Sequence, residues 1–215
     1  MVQAQTVETG SRDKILDAAE DLFARRGFAG IGMREVAEAS GLGKSSLFHH
    51  FKSKAELYAA VVGRILDHLE GRLITGLAAG GDPLTRFDRL LDTLLDTLAE
   101  HPTYARLLLR SLFEDDELTG AGEEEQHADR TTKRIFTAIG NLLREGMEAG
   151  VFRLASIPHT LQSLVGLTVY HFASGELGEE VVGQSLFSPV EVRKRKQEVK
   201  ALLHNGITAG ARKAK

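Results

Sequence analysis

Met33-Arg34-Glu35-Val36-Ala37-Glu38-Ala39-Ser40-Gly41-Leu42-Gly43-Lys44-Ser45-Ser46-Leu47-Phe48-His49-His50-Phe51-Lys52-Ser53-Lys54 reads as two short helices folded against each other across a glycine turn. Val36 and Ala37 give a first short helix an apolar side, and Ser40-Gly41 ends it. A glycine just past a helix end takes the left-handed conformation that other residues reach only with strain. Gly43 opens a second helix, because an N-cap tolerates glycine at a cost of only a few tenths of a kcal/mol relative to serine. At about 100° per residue, Leu47 and Phe51 share a face that can pack on Val36 and Ala37. Ser45, Phe48, His49 and Lys52 fall on the other face, with Lys44 near the helix start. From Ser40 to Lys54 the chain holds three lysines, two histidines and no acid. Small polar groups suit close approach to base edges and lysines suit phosphates, so the pattern is that of a helix offered to the DNA major groove. The expected DNA contacts are Gly43, Lys44, Ser45, Ser46, Phe48, His49, His50, Lys52 and Lys54, joined by Arg34 from the first helix.

Gly43-Lys44-Ser45 also imitates the end of a phosphate-binding loop. That motif needs a glycine where this chain has Glu38, and a buried strand before it. Residues 33–40 carry helical spacing and internal charges instead, so a nucleotide site is rejected.

Taken together with its flanks, the segment is similar to the DNA-binding domain of TetR-family transcriptional regulators. The matching pieces are Ile15-Leu16-Asp17-Ala18-Ala19 with Leu22-Phe23, the turn Arg26-Gly27-Phe28, Met33 to Ala37, Gly41 to Leu47, Phe48 to Lys54, and Glu56-Leu57. It is their order and spacing that is specific. Relatives often carry a hydroxyl residue at the positions of Gly32 and Gly43, and usually tyrosine at Phe48. With those hydroxyls gone, DNA affinity is expected to lean on Lys44, His49, Lys52 and Lys54 and on backbone amides at helix starts.

Composition bounds the remainder. The chain has 215 residues, 42% hydrophobic and 27% charged, which is ordinary for a globular protein and long enough for a substantial core. With no cysteine, neither a disulfide framework nor a thiolate metal site is available. No apolar run approaches the roughly 20 residues of a membrane span, and residues 1–10 lack a signal-peptide core, so a cytoplasmic location is expected. The net charge of −3 is unevenly spread: residues 1–54 hold eight Lys/Arg against seven Asp/Glu, and the rest 19 against 23. The basic footprint is therefore a local cluster, few phosphates are met per chain, and pairing of two chains would matter for affinity.

Past residue 54 the periodicity stays helical. Ser53 is a candidate cap for a long helix through Leu57, Val61, Ile65, Leu69 and Leu73. Asp82-Pro83 starts the next, His101-Pro102 breaks it, and a shorter helix follows. Residues 114–125 hold seven acids and no base and read as a solvated loop. Helices then follow over 129–147, from Pro158 to Gly175, and from a capping box at Ser188-Pro189-Val190-Glu191. The run Arg193-Lys194-Arg195-Lys196 reads as the wet face of this last helix. The expectation is an all-α, nine-helix fold without a sheet. Residues 1–10 would form a flexible arm, 11–58 a helix-turn-helix DNA-binding domain, and 59–215 an effector-binding and dimerisation domain.

The resemblance further implies a homodimer formed through the last two helices, a palindromic double-stranded operator, and a ligand cavity in the larger bundle. Gly166, inside an apolar helix, fits close approach of another backbone, from the same chain or a second one. His68, Tyr104, Arg106, Gln162, Tyr170 and His171 are polar groups among apolar positions and are the candidate ligand contacts. Leucine-rich walls would favour an apolar or amphipathic effector. No cofactor, catalytic residue, metal site or membrane partner is expected. Two other readings compete: a regulator without small-molecule sensing that acts through protein partners on the acidic loop, and an enzyme on a helical bundle. The second would use a pair such as Glu124 and His127, whose E-x-x-H spacing occurs without a second copy.

Overall fold

In a computed structural model of the chain, residues 10–113 and 122–208 are described. Among them lie ten helices: α1 Ser11–Arg26, α2 Met33–Ala39, α3 Lys44–His50, α4 Lys54–Ala78, α5 Pro83–Glu100, α6 Pro102–Ser111, α7 Glu123–Glu148, α8 Ile157–Ala173, α9 Glu176–Val182 and α10 Pro189–Ile207. The all-α class holds and the number of helices is corrected by one. The added helix is α9, seven residues long, which buries no residue and leaves its one apolar pair, Leu177 and Val181, exposed. It is delimited instead by Gly175 and Gly183, both at positive φ (58° and 82°). A second correction concerns the acidic segment. Glu123, Glu124 and Glu125 form the first turn of α7, where carboxylates are favoured by the helix dipole; residues 114–121 lie outside the described residues, as do 1–9 of the expected arm. Among the described residues, no helix is long and apolar enough to cross a membrane.

The chain divides into two compact units, Met1–Arg64 with Arg110–Ala128, and Ile65–Leu109 with Asp129–Lys215. The first is wider than the 11–58 stretch expected from sequence. Its core is Ile15, Leu16, Ala19, Phe23, Val36, Leu47, Phe51, Leu57 and Val61, all fully buried. Tyr58 stands edge-on to Phe23 and Phe28, with ring centroids 4.9 and 5.5 Å away. Such aromatic contacts contribute about 0.5–1.5 kcal/mol beyond their burial. Arg110 donates to the Phe23 carbonyl (3.1 Å) and Arg12 pairs with Glu124 (2.8 Å), joining the ends of α6 and α7 to α1. Glu124 is thereby engaged as an ion-pair partner.

In the second unit, Asp82 caps α5 by accepting from the amides of Leu84 and Thr85 (3.0 and 3.2 Å), with Pro83 at the first helical position. Helix α10 lies against α5 through three polar rungs, two lysine–aspartate ion pairs and a histidine–aspartate hydrogen bond. Lys196 meets Asp96 (2.7 Å), Lys200 meets Asp92 (2.6 Å) and His204 meets Asp88 (2.6 Å). Each set repeats every four residues, so each occupies one helix face. Lys196 thus leaves the wet face expected for it, and so does Arg195, which donates to the Leu167 carbonyl (2.6 Å). The expected capping box is half made: Ser188 Oγ accepts from the Glu191 amide (3.2 Å), while the Glu191 carboxylate is buried and accepts from Gln184 (2.6 Å).

Gly146 in α7 lies under the ring of Phe152, and a Cβ there would fall 2.1 Å from that ring. Phe152 is buried and packs edge-on to Phe87 at 5.7 Å. Gly146→Ala is therefore expected to destabilise this unit by about 1–3 kcal/mol through overpacking, against the usual gain from alanine in a helix. Urea denaturation of both proteins measures it; a more stable variant would show that the ring moves aside freely.

Candidate nucleic-acid interface

Local hydrogen bonds fix the two short helices. Glu35 accepts from the Gly32 amide (2.8 Å), one half of a capping box, and from Arg26 (2.6 Å). Those two donors, the backbone one foremost, hold the Glu35 carboxyl below its ordinary pKa. At the turn, Gly41 has φ 69°, and the Leu42 amide closes on the Ala37 carbonyl (3.1 Å). Gly43 caps α3 in extended conformation (φ −69°, ψ 150°) without any side-chain hydrogen bond. Val36 and Ala37 are buried with Leu47 and Phe51, so the inner faces meet as the spacing predicts.

The outer face carries the expected groups. Gly43, Lys44, Ser45, Phe48, His49 and Lys52 are exposed, and Ser46 and His50 are half-buried. Lys44 Nζ lies 5.6 Å from the Phe48 ring centroid. Arg34 is exposed and paired with Glu38 (2.9 Å), a contact a phosphate would have to displace. Lys54 differs from the expectation. Its ammonium donates to the carbonyls of Phe28 (2.9 Å) and Ile31 (3.2 Å) and sits 4.1 Å from the Phe28 ring centroid. It stitches the loop before α2 to the start of α4. Arg12, which the sequence reading left out, places its guanidinium 5.2 Å from the Phe51 centroid, beside α3. A base in the first turn of α1, where acids are favoured, is the signal that points to it.

Since a Cβ at Gly43 would meet nothing within 4 Å, a serine there has room to cap α3. Gly43→Ser is expected to raise stability by a few tenths of a kcal/mol, read as a higher midpoint in thermal unfolding. A lower midpoint would contradict the open geometry.

The six candidate ligand contacts separate into different environments. His68 Nδ1 and the Tyr104 hydroxyl share a hydrogen bond (2.9 Å). His101, overlooked because it sits at the break before Pro102, stacks on Tyr104 at 4.4 Å and stands edge-on to His68 at 4.9 Å. His171 is buried instead near Arg195 and Glu191, and its Nε2 has no hydrogen-bond partner among the described residues. Arg106, Gln162 and Tyr170 are exposed. An open pocket of about 410 Å³ lies between the start of α8 and the end of α10, lined by Arg153, Ser156, His159, Leu202 and Ile207 among others, and none of the six faces it.

Burial, and next the charge of Arg195, lower the His171 pKa from 6.5 to about 4. Below pH 6.5 the unfolded chain takes up a proton that the folded chain refuses until about pH 4. The stability associated with neutral His171 is thus complete above pH 6.5 and lost as pH falls toward 4. His171→Leu is expected to flatten the melting temperature against pH over that window, and an unchanged profile would contradict it.

Comparison with known proteins agrees with this geometry. Residues 15–61 match the family model described as bacterial regulatory proteins, tetR family, and residues 83–202 match the one described as tetracyclin repressor-like, C-terminal domain. The chain is 30% identical over 149 residues to the HTH-type transcriptional activator FasR of Mycolicibacterium smegmatis, spanning 68% of this chain and 65% of FasR. It is 33% identical over 99 residues to the HTH-type transcriptional repressor KstR2 of Rhodococcus jostii, spanning 46% of this chain and 48% of that repressor. The chain thus matches about two thirds of the first relative's length and about half of the second's. Its fold is similar to that of AibR, solved with isovaleryl coenzyme A and operator DNA, with a TM-score of 0.72 at 17% identity over 90% of this chain and 97% of AibR.

Proposed function

The chain belongs to the TetR family of bacterial transcriptional regulators, and on that premise we propose that it is a ligand-responsive repressor that binds a palindromic operator as a homodimer. Members of the family bind operator DNA, usually as dimers, and respond to small-molecule effectors; they are regulators and not enzymes. One observation carries the proposal: α3 buries Leu47 against α2 while presenting Lys44, Ser45, Phe48 and His49 to solvent, with Lys52 just beyond its end. Of the DNA residues expected from sequence, Lys44, Ser45, Ser46, Phe48, His49, His50 and Lys52 make the contacts, with Gly43 as the close backbone approach and Arg34 as an outlying cation.

Dimerisation is assigned to α8 and α10. Tyr170 and Leu202 are 53% and 59% exposed there, and a Cβ at Gly166 would meet nothing within 4 Å. That open surface on an apolar helix supports the reading that a second backbone approaches at Gly166. Two recognition helices would then stand about one DNA turn apart, ~34–36 Å or slightly more. An effector of apolar or amphipathic character binds the C-terminal unit, and helix α4, which has residues in both units, tilts in response. Moving the protein from 99:1 to 1:99 in favour of the non-binding form needs about 5.5 kcal/mol of differential effector binding. His68 and Tyr104 are the polar groups assigned to orient the effector. FasR is an activator and KstR2 a repressor; repression is the outcome proposed for this chain.

Selection from random DNA with the purified chain tests this reading. The expected product is a palindrome whose binding an acyl-CoA thioester, the ligand class of AibR, or another apolar compound weakens. Enrichment of no palindrome would sink the DNA reading, and indifference to every compound would favour a regulator working through protein partners.

A further inference from the structure

Phe48 is the odd member of the α3 surface. Its neighbours there are Lys44, Ser45 and His49, all able to hydrogen-bond, whereas its ring has no polar atom and is 39% exposed. Leu47 and Phe51, on the other face, are fully buried, so packing inside the unit already has its aromatic and aliphatic anchors. Lys44, one helical turn earlier, lies over the same ring. In the major groove three of the four bases present only donors and acceptors at their edges, and thymine alone adds an apolar group, its C5-methyl. A phenyl ring pressed on guanine, adenine or cytosine edges would strip water from polar atoms and return no hydrogen bond. Pressed on a thymine methyl, it buries apolar surface against apolar surface.

We propose that Phe48 reads the 5-methyl group of one thymine in each operator half-site and is a specificity-determining residue of this chain. This rests on the assignment of α3 as the major-groove reader. Burial of one methyl corresponds to about a fourfold change in affinity, so two half-sites give about fifteenfold.

The experiment uses the full chain and an operator obtained by selection, with each thymine replaced in turn by deoxyuridine, which lacks only the methyl. Fluorescence anisotropy measures Kd for wild type, Phe48→Ala and Phe48→Leu. Wild type is expected to lose about fourfold at one thymine per half-site and little elsewhere. Phe48→Ala should bind thymine and deoxyuridine operators equally at that position, and Phe48→Leu, still apolar, should keep part of the discrimination. Circular dichroism checks that both variants fold. No deoxyuridine effect in wild type, or an effect that persists in Phe48→Ala, overturns the proposal while leaving the DNA reading intact. Failure of wild type to bind any unmodified DNA overturns the DNA reading, and this proposal with it.

Discussion

Tyr170→Asp combined with Leu202→Asp is expected to leave the chain monomeric and to weaken operator binding by at least about a hundredfold. Both side chains are more than half exposed on α8 and α10, so their replacement disturbs little inside the unit. A symmetric interface doubles every change, which places four new carboxylates in one apolar seam. Unpaired charges there cost far more than a seam can return. The loss of DNA affinity follows from the charge count: with eight bases against seven acids in residues 1–54, one chain grips few phosphates. A second chain held at the right spacing converts its own binding into an intramolecular step and raises affinity by about 10²–10⁴. Sedimentation velocity reads the assembly state and anisotropy the affinity. A double variant that stays dimeric would move the interface off α8 and α10.

The second large effect is electrostatic. Lys44 and Lys52 are exposed, and neither ammonium has an acidic partner among the ion pairs of the described residues. Replacing both by alanine removes four cations per dimer. If each neutralises one phosphate, the slope of log K against log salt becomes shallower by about 3.6. That corresponds to about a thousandfold weaker binding at 0.15 M salt and only about tenfold at 0.5 M. Lys54→Ala, by contrast, removes the ammonium bonded to the Phe28 and Ile31 carbonyls, so it should lower thermal stability and change the salt slope little. A salt series over the three proteins checks both statements. An unchanged slope for the double variant would take phosphate binding away from α3.

Much of the fold was legible because its signals are local. The glycine turn at Gly41, the buried pairs across α2 and α3, and the starts at Asp82-Pro83 and Ser188-Pro189 depend on residues within one or two turns. What escaped depends on partners far along the chain or on the absence of a buried face. Lys54 is basic and close to α3, yet carbonyls 23 and 26 residues earlier claim it. Glu191 sits where a capping box wants it and is drawn instead to Gln184. Lys196 reads as solvated until Asp96, a hundred residues away, is brought to it. Three consecutive glutamates look like a loop by charge, and they suit the first turn of α7 for the same reason. Helix α9 is only two turns long, and its apolar pair Leu177 and Val181 stays exposed. The ligand contacts were least legible, since interleaved polar residues carry no mark of which element they will face; His68 and Tyr104 meet, and His171 is buried elsewhere.

In the proposed function, two copies of α3 read one operator together. Hydroxyl-radical footprinting of the selected operator, with the protein-to-DNA ratio titrated in parallel, tests it most directly. Saturation is expected at two chains per duplex, with two protected patches about one helical turn, ~34–36 Å, apart or slightly more, related by the palindrome. Saturation at one chain per duplex, or a single unsymmetrical patch, would contradict it.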